Sequence, residues 1–138
     1  MRHPSKPLVL VMDKDSTELT DLYALLDREG YLVATRLSGI EALKYVSQHK
    51  PELVVISGRS ISEEELSILE RTKSISPRTH VVLLCSHGGW PQFMDVVERG
   101  GDDLILKPFK NEEVLNAVRR ATDRARQERP VSESASAF

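Results

Sequence analysis

The sequence has little of what would direct it to a membrane, an oxidising compartment or a nucleic acid. Its 138 residues include one cysteine, Cys85, so no disulfide can form within the chain, and a reducing cytoplasm is the expected location. No apolar run approaches the roughly 18 residues that a membrane-spanning helix needs. Only five apolar residues follow the basic start, too few for a secretory signal. The formal net charge of -2 gives no reason to expect a polyanion as the main partner.

Nucleotide-binding motifs are absent as well. Gly88 and Gly89 belong to no G-x-G-x-x-G or Walker pattern, and they follow the fourth apolar segment rather than the first. With 40% hydrophobic and 29% charged residues, the composition is that of one globular domain. We expect an N-terminal segment over residues 1–7, a domain over 8–125, and a helix end with a disordered tail or linker over 126–138.

Five short segments, four of them apolar and one rich in β-forming residues, alternate with five amphipathic ones. The apolar segments predict strands at Val9–Met12, Leu53–Ile56, Val81–Leu84 and Leu104–Leu106, and the β-rich segment predicts one at Tyr31–Arg36. Helix starts are predicted from capping pairs and from two single residues: Asp15 with Glu18, Ser38 with Glu41, Ser62 with Glu65, Pro91, and Asn111. Strands that alternate with helices predict the α/β class, with a doubly wound five-stranded parallel sheet and helices on both faces.

Polar residues gather where these predicted strands end. Ligands of doubly wound sheets bind outside the carboxyl ends of the strands. Those ends carry Asp13–Asp15, Ser57, Cys85 with Ser86, and Lys107. The turn after the first strand, Asp13–Asp15, has the pattern acid–lysine–acid and is not rich in Thr, Ser and Gly. FMN, which flavodoxins hold on the same type of sheet, is therefore not expected.

Two longer stretches, GGDDLILKPF (residues 100–109) and YLVATRLSGIEALKYVSQHKPELVVI (31–56), resemble the receiver domain of two-component response regulators. The spacing of all five predicted strands fits the same family over residues 8–125. The resemblance implies a (βα)5 flavodoxin-like receiver fold. It also implies phosphotransfer from a phosphohistidine to an aspartate that ends the third strand. Mg²⁺ would be held by an acidic pair after the first strand, and a hydroxyl and a lysine after the fourth and fifth strands would bind the phosphoryl oxygens.

The acidic pair is incomplete in this sequence. Asp13 keeps the first acid, but Lys14 stands where the resemblance places the second. Asp15 is expected to cap the first helix. Mg²⁺ prefers oxygen ligands, and an added cation repels it. We therefore expect Mg²⁺ binding to be very weak or absent, and no other cofactor.

The phosphorylation site that the resemblance implies is altered too. Ser57 stands where the phospho-accepting aspartate belongs. Cys85 occupies the hydroxyl position with Ser86 beside it, while Lys107 is retained. A serine hydroxyl is a poor nucleophile unless a base takes its proton. The prediction is a degenerate receiver, or pseudo-receiver, that is not an enzyme and takes part in phosphorelay signalling by protein interaction.

Two interpretations of the remaining charges stay open. One is a plain ion pair between Asp13 and Lys107. The other is an anion pocket, because Lys107 and Lys14 together would outnumber the single acid and because nearby helix N-termini attract anions.

The expected partner is a protein: a sensor kinase, an output domain or another regulator. The resemblance implies that the face made by the fourth helix, the fifth strand and the fifth helix forms homodimers or partner contacts. Trp90 lies at the edge of this face, and Leu104 lies on its strand. Trp90 is expected either to pack over the strand ends or to anchor a partner.

Two rival functions remain. A conventional receiver could use another acid, such as Asp15, as the phosphoryl acceptor. A nucleic-acid or output-coupling module could act through RRATDRARQER (residues 119–129), whose five arginines are interleaved with acids. This stretch has neither a recognition motif nor interleaved aromatics, so a solvated helical face is the simpler interpretation.

Overall fold

The structure, a computed structural model, describes residues 6–128. Within this range the five strands, β1 to β5, are Leu8–Asp13, Leu32–Arg36, Leu53–Ser57, His80–Cys85 and Asp103–Leu106. The five helices, α1 to α5, are Ser16–Arg28, Gly39–His49, Glu63–Ile75, Trp90–Glu98 and Asn111–Gln127. Every predicted strand is present, and each strand bound lies within one residue of its predicted place.

The strands form one parallel sheet in the order β2-β1-β3-β4-β5, which confirms the predicted fold class. Side chains of each strand alternate between two cores. Val9 and Val11 of β1 face the core that α1 and α5 cover, while Leu10 and Met12 face the core under α2, α3 and α4. Burial on both faces explains why the central strands are apolar throughout.

Two of the predicted capping pairs have different outcomes. At α3, the Ser62 hydroxyl accepts a hydrogen bond from the Glu64 amide at 3.3 Å, and the Glu65 carboxylate accepts one from the Ser62 amide at 2.8 Å. This is the reciprocal capping box that the sequence predicts. At α1, the Asp15 carboxylate caps the Glu18 amide at 3.2 Å, but the Glu18 carboxylate binds elsewhere. The α1 prediction is therefore wrong for Glu18.

The predicted cap of α5 is also wrong. Asn111 is the first helical residue, and Lys110 precedes it as the N-cap residue. The Lys110 amide donates to the Glu113 carboxylate at 3.1 Å, so a long acidic side chain does the capping that Asn111 was expected to do. Pro91 lies in the first turn of α4, as predicted, directly after Trp90.

Residues 1–5 and 129–138 lie outside the described residues. Most of the predicted N-terminal segment and the Ser/Ala-rich tail fall in these two ranges. Helix α5 runs to Gln127, slightly past the predicted domain boundary at residue 125. In the part of the chain that the structure describes, no helix combines the length and the apolar character needed to cross a bilayer.

Candidate functional site at the carboxyl ends of the strands

The parallel sheet gathers the main predicted site residues at one edge. Asp13 and Ser57 end β1 and β3 and are direct partners in the sheet register. Both are buried, with exposed fractions of 3% and 2%. Lys107 follows β5, and its ammonium nitrogen lies 3.9 Å from Asp13 Oδ2. The ion pair expected between Asp13 and Lys107 is therefore present, although the contact is long.

The closer partner of Lys107 is Glu18, in the first turn of α1. Glu18 Oε2 lies 2.5 Å from Lys107 Nζ. This hydrogen bond lowers the pKa of Glu18, so its carboxylate stays ionised near neutral pH. Glu18 is not among the predicted site residues, because its spacing from Asp15 fits a capping pair equally well. Its contact with the site could have been predicted from its position in the first turn of the helix after β1, which places its side chain within reach of the strand ends.

Lys14 adds no charge to this cluster. Its ammonium pairs with Glu64 of α3 at 2.6 Å, at the surface, where both side chains are more than half exposed. The cluster around Lys107 therefore contains two acids, Asp13 and Glu18, for one lysine. This reverses the charge ratio on which the anion-pocket interpretation depends.

Asp13 and Ser57 are enclosed rather than presented to solvent. Asp13 Oδ1 accepts a hydrogen bond from the Asp15 amide at 2.9 Å. Among the described residues, neither Asp13 Oδ2 nor Ser57 Oγ has a hydrogen-bond partner. Burial raises the pKa of Asp13, because it withdraws water from the charged form. The Asp15 amide, the neighbouring Ser57 hydroxyl and Lys107 offset this only in part, and the nearby Glu18 carboxylate adds to the rise.

The backbone amides around these strand ends are already bonded. The Gly58 amide donates to the Leu84 carbonyl at 2.9 Å, and the amides of Ser86 and His87 both donate to the Arg59 carbonyl at 2.9 Å. These bonds tie the loop after β3 to the loop after β4. Anion sites built from backbone use free amides, and these three amides are not free.

The two residues at the predicted hydroxyl position have different environments. Cys85 is fully buried, and its sulfur contacts the His87 carbonyl oxygen at 3.4 Å. Burial raises the pKa of the Cys85 thiol, which keeps it protonated. Ser86 is exposed and lines a cleft of about 730 Å³ together with Ser57 and Lys107. Of the two, Ser86 alone faces this cleft.

Exposed apolar side chains lie along α4 and at the end of β5. Trp90, the first residue of α4, is 71% exposed and does not pack over the strand ends. Met94 and Val97 follow it on the same side of the helix, and Leu106 of β5 is exposed as well. We call these four residues the α4–β5 apolar strip. Leu104, predicted for this face, instead packs against the core on the α2–α4 side of the sheet.

The arginines of α5 are paired with acids. Four of them each contact one carboxylate: Arg119 with Glu29, Arg120 with Asp103, Arg124 with Asp102, and Arg126 with Glu52. The N–O distances run from 2.9 to 3.9 Å. The fifth arginine of the predicted basic stretch, Arg129, lies outside the described residues. Paired guanidinium groups offer less charge to a phosphate backbone, so the geometry does not favour the nucleic-acid interpretation.

The sequence matches the response regulator receiver domain family over residues 9–119. The chain belongs to this family. One relative of the receiver domain is the virulence transcriptional regulatory protein PhoP of Salmonella typhimurium, 29% identical over 107 residues, which are 78% of this chain and 48% of PhoP. Another is the transcriptional regulatory protein PrrA of Mycobacterium tuberculosis, 28% identical over 115 residues, which are 83% of this chain and 49% of PrrA. The receiver domain thus spans about half the length of these curated relatives.

Solved structures share the fold of this receiver domain. A CheY-like receiver domain protein from Methanospirillum hungatei superposes with a TM-score of 0.82 at 20% identity, over 91% of this chain and all of that one. At this identity the likeness supports the fold alone. NtrX from Brucella abortus has a TM-score of 0.80 at 25% identity, over 94% of this chain and 30% of NtrX. Receiver domains act in two-component signalling, where they interact with sensor kinases and output domains.

The acidic corner of this receiver domain does not fit Mg²⁺. The ion needs near-octahedral oxygen ligation and is usually held by one or two carboxylates. Asp13 offers one unbonded carboxylate oxygen with Lys107 3.9 Å from it, Ser57 supplies only a neutral hydroxyl, and the Glu18 carboxylate is bonded to Lys107. Within residues 6–128, no three His, Cys, Asp or Glu side chains are grouped so as to hold a metal ion.

Proposed function

We propose that this receiver domain acts without aspartyl phosphorylation, as a protein-interaction module of a cytoplasmic two-component pathway, and that it is not an enzyme. The observation that carries the proposal is the buried pair of Asp13 and Ser57 at the ends of β1 and β3. A carboxylate in the place of Ser57 would be ionised and could attack phosphorus, whereas a serine hydroxyl needs a base.

The bond between Glu18 and Lys107 supports the same proposal. In the chemistry that the family implies, this lysine contacts the phosphoryl oxygens. Here its ammonium is bonded to a carboxylate of the same chain at 2.5 Å. A phosphoryl group would have to displace Glu18 and then lie beside it and Asp13. Like unit charges about 4 Å apart repel by about 4 kcal/mol at an effective dielectric of about 20.

The rival acceptor, Asp15, is engaged by α1. Its Oδ1 accepts hydrogen bonds from the amides of Thr17 and Glu18 at 2.9 and 3.2 Å. The ion pairs of Lys107 are with Asp13 and Glu18, so a phosphoryl group on Asp15 would lack the lysine. This geometry makes a conventional receiver that uses Asp15 the weaker candidate.

The α4–β5 apolar strip supports a role in protein interaction. Contiguous exposed apolar surface on a monomer commonly marks an interaction site, and tryptophan is enriched among the residues that dominate binding energy. Trp90 is the most exposed residue of the strip. The proposed occupants of this surface are a sensor kinase, an output domain, another regulator, or a second copy of the chain.

Reversion of the altered residues tests the proposal. NMR spectra would be recorded while Mg²⁺ and then beryllofluoride, a mimic of a phosphoryl group on aspartate, are added. The wild-type domain is expected to show no saturable shift at Ser57, Ser86 or Lys107. The double variant Lys14→Asp with Ser57→Asp is expected to gain Mg²⁺-dependent shifts, because it restores the carboxylates that the metal needs.

The matched control is Lys14→Asp with Ser57→Asn, which has the same shape without the second restored charge and should stay silent. A saturable response of the wild-type domain to beryllofluoride would contradict the proposal and favour a conventional receiver. If the double variant stays inert, addition of Glu18→Gln tests whether the Lys107 contact is a further obstacle.

A further inference from the structure

His80, the first residue of β4, lies between two carboxylates. It is 7% exposed. Its Nδ1 lies 2.7 Å from Asp102 Oδ1, and its Nε2 contacts Glu128 Oε1 at the end of α5. A neutral imidazole has one N–H and cannot donate to both carboxylates. The two contacts therefore call for the imidazolium, in which both ring nitrogens donate.

The two carboxylates are held unequally. Asp102 is largely buried, and it also accepts hydrogen bonds from the Val81 amide at 2.9 Å and from the Arg124 guanidinium at 3.1 Å. Glu128, by contrast, is 60% exposed at the surface. Loss of one proton from the ring would therefore leave the N–H on the side of Asp102 and an unprotonated Nε2 against Glu128.

Charged groups from every neighbouring segment surround this cluster. They are Lys73 of α3, Arg78 in the turn before β4, Glu52 before β3, Asp102 before β5, Arg124 and Arg126 of α5, and Glu128 directly after α5. The hydrogen bond to Asp102 raises the pKa of His80, while burial opposes this rise. The imidazolium therefore persists above the ordinary histidine value of about 6.5.

We propose that His80 is a proton-operated clamp, which fastens the last turn of α5 to the amino end of β4 when it is protonated and releases Glu128 when it is not. The contact is complete below about pH 6.5 and is lost as the pH rises through the folded-state pKa of His80. The clamp lies at the amino ends of the strands, and Asp13 and Ser57 lie at the carboxyl ends, so the clamp shares no residue with the candidate site.

Hydrogen exchange tests the clamp. Protection factors of the amides from Arg124 to Glu128 would be measured at pH values below and above the NMR titration of the His80 ring. In the wild-type domain these protection factors are expected to fall about threefold to tenfold as His80 loses its proton. This is the fold-change that the loss of one net hydrogen bond produces.

Two variants separate the clamp from ordinary fraying of the helix end. In Glu128→Ala the amides from Arg124 to Glu128 should have low protection at every pH, because the contact between His80 and Glu128 has been removed. Asp123→Ala removes an exposed acid from the same helix and should behave like the wild type. A pH-dependent loss in the wild type and in Asp123→Ala, but not in Glu128→Ala, supports the clamp, and any other pattern overturns it. Because Glu128 is at the surface, its removal should leave the near-ultraviolet circular dichroism spectrum unchanged.

Discussion

At the scale of single residues, the character of the strand-end site depends on which acid Lys107 binds. Asp13 is in the expected place but lies 3.9 Å from the ammonium, whereas Glu18 lies 2.5 Å from it. Lys107, which was expected to bind phosphoryl oxygens, is thus paired with a carboxylate of its own chain. Charge-assisted hydrogen bonds of this kind are among the stronger polar contacts in proteins.

Glu18→Gln should turn Lys107 into an available cation. The amide keeps the shape of Glu18 but removes its charge, which leaves one acid and one lysine at the strand ends. Titration with sulfate is expected to give saturable NMR shifts at Lys107 and Ser86 in the variant and none in the wild type. Glu64→Gln frees Lys14 at the surface instead and should give no such shifts. Equal responses in Glu18→Gln and the wild type would show that Glu18 does not close the site.

At the scale of elements, three of the described helices, α1, α2 and α3, have an N-cap side chain that accepts a backbone hydrogen bond. Of these, α3 has the most complete cap, because both hydrogen bonds of its capping box are formed. Ser62→Ala removes the hydroxyl that accepts the Glu64 amide. It is expected to lower the free energy of unfolding by about 1 kcal/mol, because a backbone donor at the helix start loses its partner. Urea denaturation followed by circular dichroism measures this change.

The matched control for this cap is Ser67→Ala, in the interior of the same helix. Alanine is the better helix former at such a position, so this variant should be neutral or slightly more stable. If Ser62→Ala and Ser67→Ala have the same stability, the Ser62 cap contributes nothing to α3.

The strands could be predicted to within one residue. Burial on both faces requires unbroken apolar runs in the central strands, and polar residues end these runs. The partly exposed β2 was indicated by its β-forming residues instead. Helix starts were less predictable, since the same acidic spacing fits more than one partner. Glu18 bonds to Lys107, 89 positions away, rather than to the cap. Lys14 bonds to Glu64, 50 positions away, rather than to Asp13. The spacing of residues along the chain cannot decide whether a charged side chain binds a nearby group or a distant side chain of opposite charge.

The clamp at His80 could not be predicted for the same reason. Glu128 is 48 positions from His80, and Asp102 is 22 positions from it. Neither separation corresponds to a known sequence motif. The three residues come together only in the folded domain, where the start of β4, the segment before β5 and the end of α5 lie side by side. The family resemblance predicted the fold, which the structure confirms, and it predicted altered site positions, which stay a prediction. It supplied none of these contacts.

At the scale of the whole molecule, polar clusters lie at both ends of one apolar sheet. Asp13, Ser57 and Lys107 lie at the carboxyl edge, and His80 with its two acids lies at the amino edge. The α4–β5 apolar strip is a third surface, at the side of the sheet where β5 is the edge strand. The strand-end cluster, the proposed His80 clamp and the surface proposed for a protein partner therefore lie in three separate parts of the domain.

Trp90→Ser should weaken association through the α4–β5 apolar strip without weakening the fold. Its side chain is 71% exposed, so the free energy of unfolding should change by less than about 0.5 kcal/mol. Sedimentation velocity over a range of concentrations is expected to show self-association of the wild type and less of it in the variant. Ile40→Ser, on α2, removes a similarly exposed apolar side chain from another face and should behave like the wild type. A wild-type chain that stays monomeric throughout would contradict a homodimer on this surface.

Because Trp90 is the only tryptophan in the sequence, the tryptophan fluorescence of the domain comes from one residue, and that residue lies at the surface. Its emission in the free protein should resemble that of a tryptophan in water, so unfolding should change it little. Docking of any molecule over α4 would shift the emission to shorter wavelength. The tryptophan fluorescence of this chain is thus better suited to measuring binding than to measuring stability.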